Sequence, residues 1–156
     1  MSIILDGSLV KGFPLLKVNA INVSDKTKSV EINALIDTGA NFHCIDNSLA
    51  NKLGMLSLGP RTNKGMSGLA SSQAYNGVLM AKLHSGSNEQ FNNWKAFRAT
   101  GLKSSKTLPK TEPFDGLFGV DMAGLSCGAL AIIGVNYLAD KKFIYDGPNS
   151  SWTIEQ

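Results

Sequence analysis

Apolar residues in this chain come in short runs separated by turn-forming clusters, a pattern that predicts many short strands and little helix. Phe13 to Val23 predicts a strand, with Phe13, Leu15, Leu16, Val18 and Ala20 set among small or polar residues. Asp25, Lys26 and Thr27 mark a polar turn, and Ser29 to Ile36 predicts a second strand with Val30, Ile32 and Ala34 on one face. Phe42, Cys44 and Ile45 restart a short strand. A short helix follows: Asp46 or Asn47 can cap it, Leu49, Ala50 and Leu53 form its apolar side, and Gly54 sits where a left-handed residue ends a helix. Leu58 to Met66 and Gln73 to Leu83 predict the arms of a long hairpin, with Ser67 to Ser72 as a small, flexible tip flanked by Gly65 and containing Gly68. Phe91, Trp94 and Phe97 predict a strand against the core, and Thr100 to Pro113 an exposed loop. Gly116 to Ala123 and Ala129 to Val135, the latter broken by Gly134, are two further apolar runs. A helical turn at Asn136 to Asp140 precedes strands at Lys142 to Asp146 and Ser151 to Glu155, joined by a turn at Gly147-Pro148-Asn149.

The sum is an all-β fold, and 156 residues without an internal repeat suit one domain spanning 1–156. Sixteen glycines and a charged share of 17% fit a chain rich in turns. The net charge of +3, with Lys103, Lys106 and Lys110 in one stretch, is too small for a nucleic-acid footprint. Cys44 and Cys127 have neither disulfide-framework nor metal-ligand spacing, so reduced thiols and no metal or other cofactor are expected. The first ten residues lack a basic start followed by a long apolar run, and no apolar run approaches the roughly 20 residues that span a bilayer. The expectation is a soluble, cytoplasmic protein with no membrane partner.

The candidate chemistry lies at Ala34-Leu35-Ile36-Asp37-Thr38-Gly39-Ala40, where an apolar strand ends in an acid, a small hydroxyl and a glycine. A buried strand would deliver Asp37 to the point where the chain turns. Gly39 permits a turn that a Cβ would obstruct, and Thr38 can both donate and accept hydrogen bonds. Other chemistries are weaker. His43 and Cys44 alternate faces on a strand and would not converge on one ion. A Cys44 nucleophile with His84 as base lacks a recognisable oxyanion element.

Leu35 to Ala40 resembles the active-site motif of retroviral-type aspartic proteases, the retropepsins. Ala131-Ile132-Ile133-Gly134, followed by Asn136-Tyr137-Leu138, resembles that family's second apolar-apolar-glycine element. The likeness is greatest to bacterial retropepsin-like proteins, with Ile45 to Leu53 and Tyr145-Asp146-Gly147 matching further elements in order. It runs from about Phe13 to Ile154.

That resemblance implies a half-barrel with a flap hairpin and an aspartic endopeptidase whose catalytic residues are Asp37, Thr38 and Gly39. Aspartic proteases use two carboxylates that share a proton and activate a water. This chain has one Asp-Thr-Gly, so a two-fold homodimer would complete the site. Ala40, Asn41, Ile132 and Ile133, with flap residues Met66, Ser67, Gly68 and Leu69, would contact an extended peptide. Ala40 offers no hydroxyl to hydrogen-bond a carboxylate, which predicts a mildly acidic optimum. Two charges of the viral pattern are replaced, by Asn41 and by Val135, and the stretch from about Ser85 to Pro113 makes the chain longer than a viral subunit. The alternative is a catalytically silent module that keeps the fold and grips a peptide.

Overall fold

The computed structural model describes residues 2–65, 68–84, 94–98 and 116–156, and of 62–65 and 68–71 the backbone alone. The fold is all-β, with twelve strands and two short helices among these residues. The expected loop at Thr100 to Pro113, the three lysines in it, and Phe91 lie outside them. In chain order the strands are β1 (Ile3–Val10), β2 (Phe13–Asn22), β3 (Ser29–Ile36), β4 (Cys44–Asp46), β5 (Ser57–Gly65) and β6 (Gly68–Tyr75). They continue as β7 (Gly77–Lys82), β8 (Trp94–Phe97), β9 (Leu117–Val120), β10 (Ala131–Ile133), β11 (Lys142–Asp146) and β12 (Ser151–Glu155). Helix α1 is Asn47–Lys52 and α2 is Val135–Leu138. No described helix is long and apolar enough to cross a membrane.

One open sheet runs in the order β11-β12-β1-β2-β3-β10-β4-β9-β6-β5, with β7 paired to both β2 and β8. Two of its pairings are parallel, β10 with β3 and β4 with β9. Both lie around the candidate site. Parallel pairing needs long crossovers, so these strands bring distant segments together.

Strand β1 is not among the elements the hydrophobic pattern predicts. Asp6-Gly7-Ser8 has turn composition, yet Gly7 sits mid-strand, opposite Trp152 in the β12 register. A Cβ on Gly7 would lie 2.6 Å from both the Leu15 carbonyl oxygen and the Trp152 ring. The glycine thus makes room for Trp152, which is fully buried and donates its indole N–H to the Leu15 carbonyl at 3.0 Å. Lys11 and Gly12 then close the β1–β2 hairpin with φ of 51° and 83°, the left-handed pair that a two-residue turn requires.

The expected hairpin is corrected in its second arm. That arm is Gly68–Tyr75, so of the expected tip all of Gly68 to Ser72 belongs to the ladder; Arg61 pairs with Ser72 and Gly65 with Gly68. Residues from Gly77 form a separate strand, β7, directed to β2. The break falls at Asn76-Gly77, a dipeptide that is itself a turn signal. Asn76 donates its N–H to the Leu56 carbonyl at 2.8 Å, and a Cβ on Gly77 would meet the Met55 sulfur at 2.5 Å.

The helix cap follows the sequence. Asp46 is buried, and its carboxylate accepts from the N–H of Leu49 at 3.1 Å and of Met122 at 2.9 Å. Gly54 closes the helix with φ of 64°. Buried Asn22 donates to the Leu53 carbonyl at 2.9 Å, joining the end of α1 to the end of β2.

Candidate active site

Asp37 stands where β3 leaves the sheet. Ala34 and Ile36 are buried, and β3 is flanked by β2 on one side and β10 on the other. The Asp37 N–H donates to the Ile133 carbonyl at 3.0 Å, extending the parallel ladder to the acid itself. The chain then turns: Ala40 N–H donates to the Asp37 carbonyl at 3.2 Å, and Gly39 N–H donates to the Asp37 Oδ1 at 2.8 Å. A backbone donor to a carboxylate is among the stronger hydrogen bonds and fixes the side chain's direction. Asp37 is half-buried, whereas Thr38 and Gly39 are exposed.

The turn is braced from β10. Val135 N–H donates to the Ala40 carbonyl at 2.7 Å. Gly134 passes so close that an added Cβ would lie 2.7 Å from the Phe42 carbonyl oxygen, 2.8 Å from its carbon and 2.9 Å from the Ala40 oxygen. All three are backbone atoms, so no rotamer relieves the clash. The apolar run broken by Gly134 is therefore broken for space at the turn.

His43 holds the same glycine from the other side. Its Nδ1 accepts the Gly134 N–H at 3.0 Å, which leaves Nε2 as the protonated nitrogen of the neutral ring. Burial, with a smaller contribution from Lys95, pushes the His43 pKa down to about 4. The unfolded chain takes up this proton near pH 6.5, the folded one only near 4. Stability from this residue is therefore complete above about pH 6.5 and falls as the pH drops towards 4, by about 2–3 kcal/mol. A chemical-denaturation series from pH 7 to pH 4 should show that loss, and His43→Gln should flatten it.

The candidate flap is tied into the same sheet. Its base pairs with β9 at Ala74–Phe118 and Tyr75–Leu117, β9 runs parallel beside β4, and β4 neighbours β10. A polar chain not visible from local sequence fixes this base. Tyr75 donates its hydroxyl to Asn47 Oδ1 at 3.0 Å, and Asn47 donates its Nδ2 to Asp121 Oδ1 at 2.9 Å. Gly119 beneath them has no room for a Cβ against Asn47 Oδ1. The signal was there as a second glycine inside an apolar run.

The expected peptide-contact residues are placed unevenly. Ala40 is half-buried beside Asp37, and Asn41 is exposed. Gly68 and Leu69 contribute backbone to β6; Met66 and Ser67 lie outside the described residues. Ile132 is half-buried, but Ile133 has no exposed surface and belongs to the core. Side chains alternate along β10, so Ile133 supports the turn from within and cannot touch a ligand with its side chain.

The competing nucleophile is disfavoured by its surroundings. Cys44 is buried, its thiol is pushed up to about 12 by burial and by nearby Asp37, and it donates to the Phe42 carbonyl at 3.4 Å. A thiol with so little thiolate is inert. His84 is exposed and pairs with Asp6 at 3.0 Å. Among the described residues no group of three or more His, Cys, Asp or Glu could hold a metal. No protein-family model, no curated protein and no solved structure matches the chain.

Proposed function

We propose that the chain is an aspartic endopeptidase of retropepsin type, active as a two-fold homodimer. The observation that carries this reading is the Asp37 turn. A half-buried carboxylate is held by the Gly39 N–H, at the end of a strand braced on both sides, in a turn locked by Gly134 and Val135. Such rigidity suits a carboxylate that must orient a water, since misplacement of a catalytic group by a fraction of an ångström is costly.

One chain supplies one such turn. Two copies meeting about a two-fold axis would set two Asp37 carboxylates side by side. Like charges a few Å apart cannot both ionise, so one carboxyl stays protonated while the other takes a proton from water. The water adds to the peptide carbonyl carbon, the protonated carboxyl hydrogen-bonds the carbonyl oxygen, and collapse of the tetrahedral adduct expels the amine with a proton from the dyad. The exposure of Thr38 and Gly39 supports a contact there with a second copy. The β5–β6 hairpin, joined through β9 to the strands around Asp37, is the candidate cover for an extended peptide.

The test is digestion of a diverse peptide mixture at mildly acidic pH by wild type and by Asp37→Asn. Cleavage by wild type alone is expected. No cleavage by folded, dimeric wild type would favour the silent peptide-binding alternative.

A further inference from the structure

A pocket of about 320 Å³ adjoins the reverse side of His43 and is lined by Lys95, Arg98, Asn136, Tyr137, Asp140 and Lys141 along with that ring. Three of these residues are cations and one is a carboxylate. Lys95 and Arg98 are half-buried, and Lys141 is the most enclosed of the three. The Lys141 side chain is 7% exposed, with its Nζ 4.3 Å from the centre of the Tyr137 ring. Lys95 reaches the same ring at 5.7 Å. Arg98 donates from one terminal nitrogen to Asn76 at 3.4 Å, while its Nε is buried with no hydrogen-bond partner among the described residues.

The single acid does not balance them. Asp140 pairs with Lys141 at 2.9 Å but is 73% exposed, and solvent screens such a carboxylate. His43 adds a donor and no charge: its Nδ1 is taken by Gly134, so the neutral ring offers Nε2–H. An enclosed ammonium at Lys141 and a buried guanidinium N–H without a described partner at Arg98 are costly unless an anion completes them. Guanidinium and ammonium groups converging on one polar pocket match the several acceptor oxygens of a phosphoryl group. The volume, near the lower end of the about 300–1,000 Å³ typical of small-molecule sites, leaves room for a substituent on the phosphorus.

We propose that this pocket binds a phosphate or phosphomonoester dianion through Lys95, Arg98 and Lys141. The ligand would lie against His43, the residue that holds Gly134 in the Asp37 turn. The proposal stands on the pocket alone and does not require the chain to be a peptidase.

The chain has two histidines, so ring resonances of ¹⁵N-histidine-labelled protein give a probe and an internal control. Inorganic phosphate, phosphoserine and acetate are titrated at constant ionic strength near pH 7.5, where phosphomonoesters are about fully dianionic. A saturable shift of His43 at about millimolar affinity or tighter is expected, with exposed His84 unmoved and no saturation by acetate. Lys95→Met and Arg98→Met should each weaken binding about tenfold. The buried Trp152 indole N–H resonance reports that these variants remain folded. Phosphoserine binding tighter than phosphate would support an organic phosphate as ligand; the reverse would support the free ion. A static His43, parallel unsaturated drift of both histidines, acetate binding as tightly as phosphate, or wild-type affinity in both folded variants would overturn the proposal.

Discussion

Asp37→Asn should fold as wild type does and lose peptide cleavage by about a thousandfold or more, within the range set by removing a general acid–base. Asparagine keeps the side chain's shape, and its Oδ1 can still accept the Gly39 N–H that holds Asp37 at 2.8 Å. The turn therefore survives, and with it the ladder bond from the Asp37 N–H to Ile133. What disappears is the charge. In a homodimer both copies lose it together, so neither carboxylate remains to accept a proton from water. Thermal unfolding within a few degrees of wild type, with cleavage gone, would place the effect in chemistry. Equal cleavage by both proteins would move the active site away from Asp37.

Gly134→Ala is expected to cost about 3 kcal/mol or more of stability, because the added methyl meets only backbone. The new Cβ would press on the Phe42 carbonyl and the Ala40 oxygen, at separations of 2.7 to 2.9 Å. These atoms belong to the turn that Asp37 begins and to the strand entering β4, so relief requires moving backbone. In a domain of this size the loss corresponds to a melting temperature lower by roughly 10 °C. Any folded remainder should also show weakened cleavage, because the Val135–Ala40 bond at 2.7 Å lies in the same contact. A melting temperature unchanged by Gly134→Ala would mean that β10 does not pack on the turn as closely as the structure has it.

Much of the framework was legible in the sequence because local chemistry decided it. Ser29 to Ile36 ends at a charged residue and a glycine, so the strand had to stop at Asp37. Asp46 and Gly54 mark the two ends of α1 by capping geometry that neighbours a few residues apart satisfy. What local pattern could not show is what distant residues require of each other. Gly7 looks like a turn until Trp152 is placed against it, 145 positions along the chain. Gln73 to Leu83 reads as one strand until Met55 fills the space at Gly77.

The candidate site divides along the same line. Asp37, Gly39 and Gly134 stand out as punctuation in apolar runs. The role of His43, bonded to a residue 91 positions away, and the Tyr75-Asn47-Asp121 chain have no local signature. Ile133 is expected to contact a peptide only through the family resemblance; the alternation along β10 turns its side chain into the core.

The most direct measurement is subunit mixing. Wild-type chain is held at fixed concentration, well above that needed for dimerisation, and allowed to exchange with a ninefold excess of Asp37→Asn before peptide is added. If each active site takes one Asp37 from each of two chains, random pairing leaves about one tenth of the wild-type chains with a wild-type partner, and cleavage falls about tenfold. If cleavage is unchanged although exchange is complete, one chain holds a whole site, and the shared dyad at Asp37 is contradicted.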